Sequence, residues 1–384
     1  MKRFAAAIIG LVFFLSGSFK LIDPVGTGFI VTEYFNFFHC TFLQPVAKAA
    51  GMLLSGIEAV TGIALLTGVA RKAGAIAAMS LTGLFTIIST LLLIFNPPMD
   101  CGCFGQAIHL SHAQTFAKNI VLCLLCAGAF IPMSSLGECK KRKWVSFGIV
   151  CCAEAVAALF CTLYLPLEDF TRFSPGSTLK AFAAEEGEAQ PRYIYEKDSL
   201  RLSFTLEEIP DSSWSFVGVD EDGAKDGALL QDEAVLPLRG RDGSDATALL
   251  LQGSVFAVSV YEPEELTDSN LAAIEKFRAD ALEAGAAFYL LATRDDPRFA
   301  PLELLLGDYR EIATFNRSNG GWAYLDDGFI VLKRARRSRL ARSAGTVREL
   351  LSSDPTEMFI KFSTVSFITS QAMLVGTLIL MLAL

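Results

Sequence analysis

Residues 100–105 read DCGCFG: two cysteines one glycine apart, just past Pro97-Pro98 and between two long apolar runs. Cys101 and Cys103 could exchange disulfides, ligate a metal, or close a permanent staple in a turn. Gly102 permits the tight backbone that brings alternate Cα atoms within bridging range. A ring that small is strained, and strained, exposed disulfides are the oxidising, exchangeable ones. Asp100 works against exchange, because an acidic neighbour raises a thiol pKa and no activating cation stands nearby in the sequence. His109 and His112 are the nearest groups that could help.

Metal ligation is the minority option. Cys101, Cys103, His109 and His112 have ligand types that suit zinc or copper, but C-x-C…H-x-x-H matches no common structural pattern. No metal is therefore expected. The other cysteines of the nine rank lower. Cys40, beside His39, and Cys161, near one end of a span, are possible auxiliary thiols, although a buried apolar cysteine is the simpler reading of each. Cys123 and Cys126 spell C-x-x-C inside an apolar run, where the spacing reads as packing. Cys139 lies beside a Lys/Arg run and is expected to stay reduced. Cys151 and Cys152 read as apolar filler. Glu58 is the remaining chemical residue: a carboxyl inside a span needs a partner or a function. A hydrogen-bonded group that fixes packing is favoured over a proton relay.

The elements that must position these residues are membrane spans. Five N-terminal stretches approach or reach the ~20 apolar residues a crossing helix needs: 4–22, 46–68, 73–95, 115–132 and 144–165, with a sixth at 362–384. The first follows Lys2-Arg3 like a signal peptide but lacks a small-x-small cleavage site, so an uncleaved span is expected. A bundle of four to five N-terminal spans plus one C-terminal span follows. Small residues at Gly51, Ser55 and Ala59 would let another helix approach closely. Between the first two spans, FIVTEYFNFF is amphipathic and suits a membrane surface.

Charge sets the orientation. Lys2-Arg3, Arg71-Lys72 and Lys140 to Lys143 fall on alternate loops, which are expected in the cytoplasm. The opposite loops carry Asp23, Glu33 and Asp100 without Lys or Arg. DCGCFG and the segment 166–357 are then outside the cytoplasm, in an oxidising compartment where disulfides persist. Arg334, Arg336, Arg337, Arg339 and Arg342 run against this assignment, but long domains translocate largely regardless of charge. Residues 1–165 hold eleven Lys/Arg and six Asp/Glu, leaving 22 and 35 of the totals of 33 and 41 for the acidic remainder. No basic stripe with interleaved aromatics points to nucleic acid.

The soluble part begins with an irregular linker, FSPGSTL and AAEEGEAQ. RYIYEK and LRLSFTL then suggest a hairpin around Lys197-Asp198-Ser199, and the Gly/Asp-rich stretch 220–245 suggests loop. From Leu250 the pattern is α/β: SVFAVSV as a buried strand, DSNLAAIEKFRADALEAG as a helix with a glycine cap, AAFYLLA as a strand, and GWAYL and FIVLK as a hairpin about Asp326-Asp327-Gly328.

GLVFFLSGSFKLIDP, GIEAVTGIALLTG and DCGCFG, in that order, resemble the DoxX/MauE group of bacterial membrane proteins, of which MauE is the methylamine-utilisation member linked to disulfide handling in the periplasm. The stretches DCGCFGQAIHLSHAQTFAKN, YIYEKDSLRLSFTLEEIPDSSWSFV and NRSNGGWAYLDDGFIVLK are similar to the Bacteroidetes-type architecture. There a MauE/DoxX-like bundle (1–165) precedes a periplasmic segment (166–249), a thioredoxin-like domain (250–350) and a final span (358–384). The resemblance implies catalytic cysteines after the first strand of that domain, but YEPEELTD stands there and no cysteine follows Cys161. Gly320 also replaces a proline usual in relatives after RSN. The implied α/β thioredoxin-like domain therefore lacks redox cysteines.

Function follows as an expectation. An inner-membrane protein would pass disulfide equivalents through Cys101 and Cys103 to a periplasmic client or carrier, supporting envelope protein maturation, with a quinone as the possible cofactor. The alternative is a non-enzymatic membrane scaffold or chaperone acting through the cysteine-free domain. Transport with Glu58 as proton carrier is a third class.

Overall fold

A computed structural model describes residues 2–133, 142–181, 193–197, 200–204, 215–219, 234–338 and 344–383. Cys139, the 198–199 turn, most of the 220–245 stretch, Arg339 and Arg342 lie outside the described residues. The chain divides into two compact units. One comprises Met1–Thr171, Arg334–Arg339 and Ile360–Leu384; the other, Arg172–Lys333 and Leu340–Phe359.

In the first unit, α1 (Lys2–Ile22), α2 (Pro24–Phe37), α3 (Ala47–Thr67), α4 (Arg71–Phe95), α5 (His112–Phe130) and α6 (Arg142–Leu163) form a bundle. Local chemistry sets the breaks. The Asp23 carboxylate accepts from Gly26 N at 2.9 Å and Pro24 opens α2, the cap and first-turn residues a helix start favours. α3 stops at Gly68, whose φ of 73° is left-handed. Ser111 caps α5 in a reciprocal box with Gln114.

Close approach of α1 and α3 defines the core. A Cβ on Gly17 would lie 2.5 Å from Ala59 N and 2.6 Å from Ser55 O, and one on Gly62 would lie 2.3 Å from Phe14 N. The expected seam of Ser55 and Ala59 thus faces α1, while Gly51 packs on Thr27 and Val31 of α2. Ile9, Phe13, Leu65, Ala78, Leu122, Cys126 and Phe130 fill the space between α1, α3, α4 and α5. Six helices among the described residues are long and apolar enough to cross a membrane: Lys2–Ile22, Thr41–Thr67, Arg71–Phe95, His112–Phe130, Arg142–Leu163 and Pro355–Thr377. They mark a multi-pass membrane protein.

The second unit is α/β. One antiparallel sheet of order β2-β1-β3 joins β1 (Tyr193–Lys197), β2 (Leu200–Phe204) and β3 (Ser215–Val219). The main sheet contains β4 (Ser254–Val260), β5 (Ala287–Ala292), β6 (Leu304–Leu306), β7 (Gly321–Asp326) and β8 (Phe329–Arg334) in the order β6-β5-β4-β7-β8. α7 (Asp268–Glu283) links the parallel pair β4 and β5, and α8 (Tyr309–Phe315) precedes the hairpin. β4 is the central strand, antiparallel to β7 with Val258 opposite Trp322. Asp327 and Gly328 turn the hairpin with φ of 47° and 77°, the two positive values a type I′ turn requires. The helices α9 (Ala344–Ser352) and α10 (Pro355–Ala383) end the chain. A helical membrane bundle with an α/β domain is therefore present as expected. β3, β6 and α8 are elements the sequence reading did not place.

Candidate functional site

Cys101 and Cys103 lie in the loop between α4 and α5, which is clamped by side chains from two other helices. Tyr34 of α2 donates its hydroxyl to Cys101 O at 2.7 Å, and Ser16 of α1 lies 2.6 Å from Cys103 O. Gly102, at φ 61°, rests on Ile30, so close that a Cβ would lie 2.4 Å from Ile30 Cγ2. Glycine is thus required twice, by the left-handed backbone and by the contact. Asn96 ends α4, and His112 holds the loop by bonding Asn96 Oδ1 at 3.1 Å and Met99 O at 2.9 Å.

Both thiols are free, Cys101 buried and Cys103 half-buried. The Cys101 thiol hydrogen-bonds the Cys103 sulfur, which raises Cys101 well above the ordinary thiol value; burial adds to this. The same bond lowers Cys103 to about 6, against burial and with help from the ammonium groups of Lys118 and Lys20. Lys118 lines the same cavity as that sulfur and sits over the Phe104 ring at 5.2 Å. One sulfur is therefore a stabilised thiolate and the other a protonated partner, the division of labour a dithiol needs for exchange.

This reverses the sequence-level expectation for the thiol environment. Asp100 is more than half exposed and pairs with His109 at 3.0 Å, and the activating cations come from α1 and α5. Lys20 and Lys118 were missed because each is a single cation set in an apolar run, Lys20 far along α1 from Lys2 and Arg3. That isolation was the available clue, since an ionisable residue in a span is a functional hypothesis by default. Among the described residues no three of His, Cys, Asp and Glu converge as metal ligands; the bonds of His109 to Asp100 and of His112 to Asn96 and Met99 direct both rings elsewhere.

Glu58 is fully buried and ion-paired with Lys20 at 2.5 Å, while its other oxygen lies 2.6 Å from Ser16 Oγ. Ser16 has one proton for two acceptors, the Glu58 carboxylate and Cys103 O. Lys20 is thus paired with Glu58 while its charge also acts on the Cys103 sulfur. Glu58 thereby joins the site through Lys20 and Ser16 without touching a cysteine.

A cavity of about 310 Å³ opens on Cys101, Gly102 and Cys103. Phe35, Leu54, Phe85, Ile88 and Leu92 give it apolar walls, and Thr115, Lys118 and Asn119 add polar groups. Asn119 is spent on Phe85 O and Ser89 Oγ. The Thr115 hydroxyl, beside Cys101, is buried without a hydrogen bond of good geometry. The amphipathic stretch proposed for the membrane surface is α2, and its Phe35 and Phe38 line this cavity.

Neither Cys40 nor Cys161 lines it. Cys40 Sγ bonds Phe38 O at 3.4 Å, and Cys161 is buried in α6. Cys126 sits in the helix core and approaches Thr82, while Cys123 approaches Thr86. In the α/β unit, the segment after β4 is held by Asn319, which bonds Glu262 N and O. Gly320 next to it has φ 79° and donates its N–H to Ser259 O at 2.7 Å; proline could supply neither.

Residues 2–132 match the family model of the methylamine utilisation protein MauE. The whole site, from Ser16 to Asn119, lies inside this MauE-like stretch, whereas α6 and the α/β unit lie beyond it. Neither a curated protein nor a solved structure matches the chain.

Proposed function

We propose that the chain is a membrane thiol–disulfide exchange protein working through Cys103 and Cys101. The observation that carries this reading is a pair of free thiols one residue apart, in a loop held by Tyr34 and Ser16, lining one cavity with the ammonium groups of Lys20 and Lys118, which favour the ionised form of Cys103. The Cys103 thiolate attacks one sulfur of a client disulfide, forming a mixed disulfide and expelling a client thiolate. Cys101 gives up its proton and attacks Cys103 Sγ, which releases the second client thiolate and closes the Cys101–Cys103 disulfide. Run backwards, the same steps oxidise a client dithiol. MauE likeness of the bundle supports a membrane accessory role, and the charge of the short loops supports an inner-membrane protein with this site and the α/β unit on the periplasmic side. In this reading the α/β unit, whose strand–helix–strand and hairpin order is that of thioredoxins, holds a client polypeptide over the membrane, having no cysteine of its own.

Trapping tests the order of events. Cys101→Ser, which lacks the resolving thiol, should accumulate a mixed disulfide through Cys103 in membranes, detected on non-reducing gels and by mass spectrometry. Cys103→Ser should trap none. Full maturation activity in a folded chain carrying both substitutions would refute the exchange reading and leave the scaffold role of the α/β unit.

A further inference from the structure

The cavity beside the two sulfurs is unexplained by exchange with a protein client. A client disulfide needs an open approach to Cys103, not a chamber walled by Phe35, Phe85, Ile88 and Leu92. Its volume of about 310 Å³ falls at the small end of the ~300–1,000 Å³ typical of small-molecule sites. The walls are apolar, so the occupant is too. Two hydrogen-bond donors nevertheless face it. Lys118 adjoins Cys103, and Thr115, 2% exposed, sets beside Cys101 a hydroxyl that makes no hydrogen bond of good geometry. A buried hydroxyl left without a partner is costly unless a ligand satisfies it. The bundle around the cavity is built of helices apolar enough to cross a membrane, so the ligand would enter from lipid. Apolar ring walls, donors for carbonyl oxygen, access from lipid and a dithiol in the wall converge on one class of molecule.

We propose that this cavity binds the ring of a lipid-borne quinone, which takes the electrons of the Cys101–Cys103 dithiol. The inference rests on the exchange reading and fixes its direction, from client dithiol to quinone. The Cys103 thiolate adds to a ring carbon, forming a C–S bond. Cys101 then attacks Cys103 Sγ; the S–S bond forms, the C–S bond breaks, and its electron pair stays on the ring. The proton of Cys101 and one from solvent complete the hydroquinone. Two electrons and the one proton still on Cys101 pass from the pair to the quinone, solvent returns the proton that Cys103 lost on ionising, and no further reactant is needed. Thr115 and Lys118 donate to the carbonyl oxygens as negative charge builds on them, the place where fixed donors lower a barrier most.

The test uses the full chain in lipid nanodiscs, reduced and freed of reductant, with decylubiquinone as one probe and the small aromatic disulfide dithiobis(nitrobenzoate) as the other. Decylubiquinone should be reduced mole for mole as Cys101 and Cys103 become resistant to alkylation. Ile88→Trp and Ala50→Phe each fill the cavity, and each should slow the quinone reaction by at least about tenfold, a loss of roughly 1.4 kcal/mol, with the aromatic disulfide reaction unchanged. Two variants guard against one failing to fold. A pair that reacts with the aromatic disulfide but leaves decylubiquinone untouched would overturn the quinone and spare the exchange reading. Equal quinone rates in both filled variants would remove the cavity from the reaction. Inertness toward both probes would overturn exchange and quinone together.

Discussion

Lys118 shares the cavity wall with Cys103 and favours its ionised sulfur from the second turn of α5, the helix that the DCGCFG loop itself leads into. The loop has only to turn once for its thiol to meet the helix that follows. With Lys20 arriving from α1, the sulfur lies between two cations in an otherwise apolar setting. There a charge–charge attraction is far stronger than in water.

The pH dependence follows from that arrangement. A pKa of about 6 means that Cys103 stays ionised above that value and loses its reactive form as pH falls through it. At pH 7 roughly 90% is thiolate, against roughly 3% for an ordinary thiol near 8.5. Alkylation of the reduced chain by iodoacetamide, read peptide by peptide, should therefore show a Cys103 midpoint near 6. Lys118→Met should move that midpoint upward and slow the reaction at pH 7 by about tenfold. An unmoved midpoint would leave Lys118 a packing residue only.

Glu58 and Lys20 should behave as a unit. Removing one member of a buried pair strands the other charge at a cost of about 3–5 kcal/mol, while replacing both with apolar side chains is often nearly neutral. Glu58→Leu and Lys20→Met should each lower the unfolding temperature in detergent or nanodiscs more than the double variant does. Additive losses would show that the two residues are not coupled. The double variant should also raise the Cys103 midpoint, because one of its two cations is gone.

Gly102→Ala should damage the site without removing either cysteine. The substitution asks an alanine to take φ 61° with its Cβ 2.4 Å from Ile30 Cγ2. The backbone conformation alone costs about 1–2 kcal/mol, and the clash pushes the loop off α2. Cys103 reactivity should fall, and Ile30→Ala in the same chain should restore part of it by relieving the clash but not the backbone. No recovery at all would assign the whole effect to φ.

Legibility in the sequence followed range. The six apolar helices were visible because each is a continuous run, and β4, α7 and β5 because their periods are local. Cys101 and Cys103 stood out as a pair one residue apart. Their electrostatics did not, because Lys20 and Lys118 reach the sulfur only after α1 and α5 pack together, and Asp100, adjacent in sequence, points away. β6, three residues long, carries too few positions for a period. The cavity required Phe35 of α2, Leu54 of α3, Phe85 of α4 and Thr115 of α5 at once, a coincidence no window on the chain contains.

The two carbonyls flanking Gly102 each meet a hydroxyl, Tyr34 donating to one at 2.7 Å and Ser16, which is shared with Glu58, lying 2.6 Å from the other. A main chain anchored at both shoulders has nowhere to travel when its sulfurs join or part, so the change of oxidation state falls to two side-chain rotations. Little has to rearrange on the way over the barrier, and little has to be undone for the next turnover. Such a centre would be quick in both directions and set by its collision partners, with no slow refolding of its own to act as a clock.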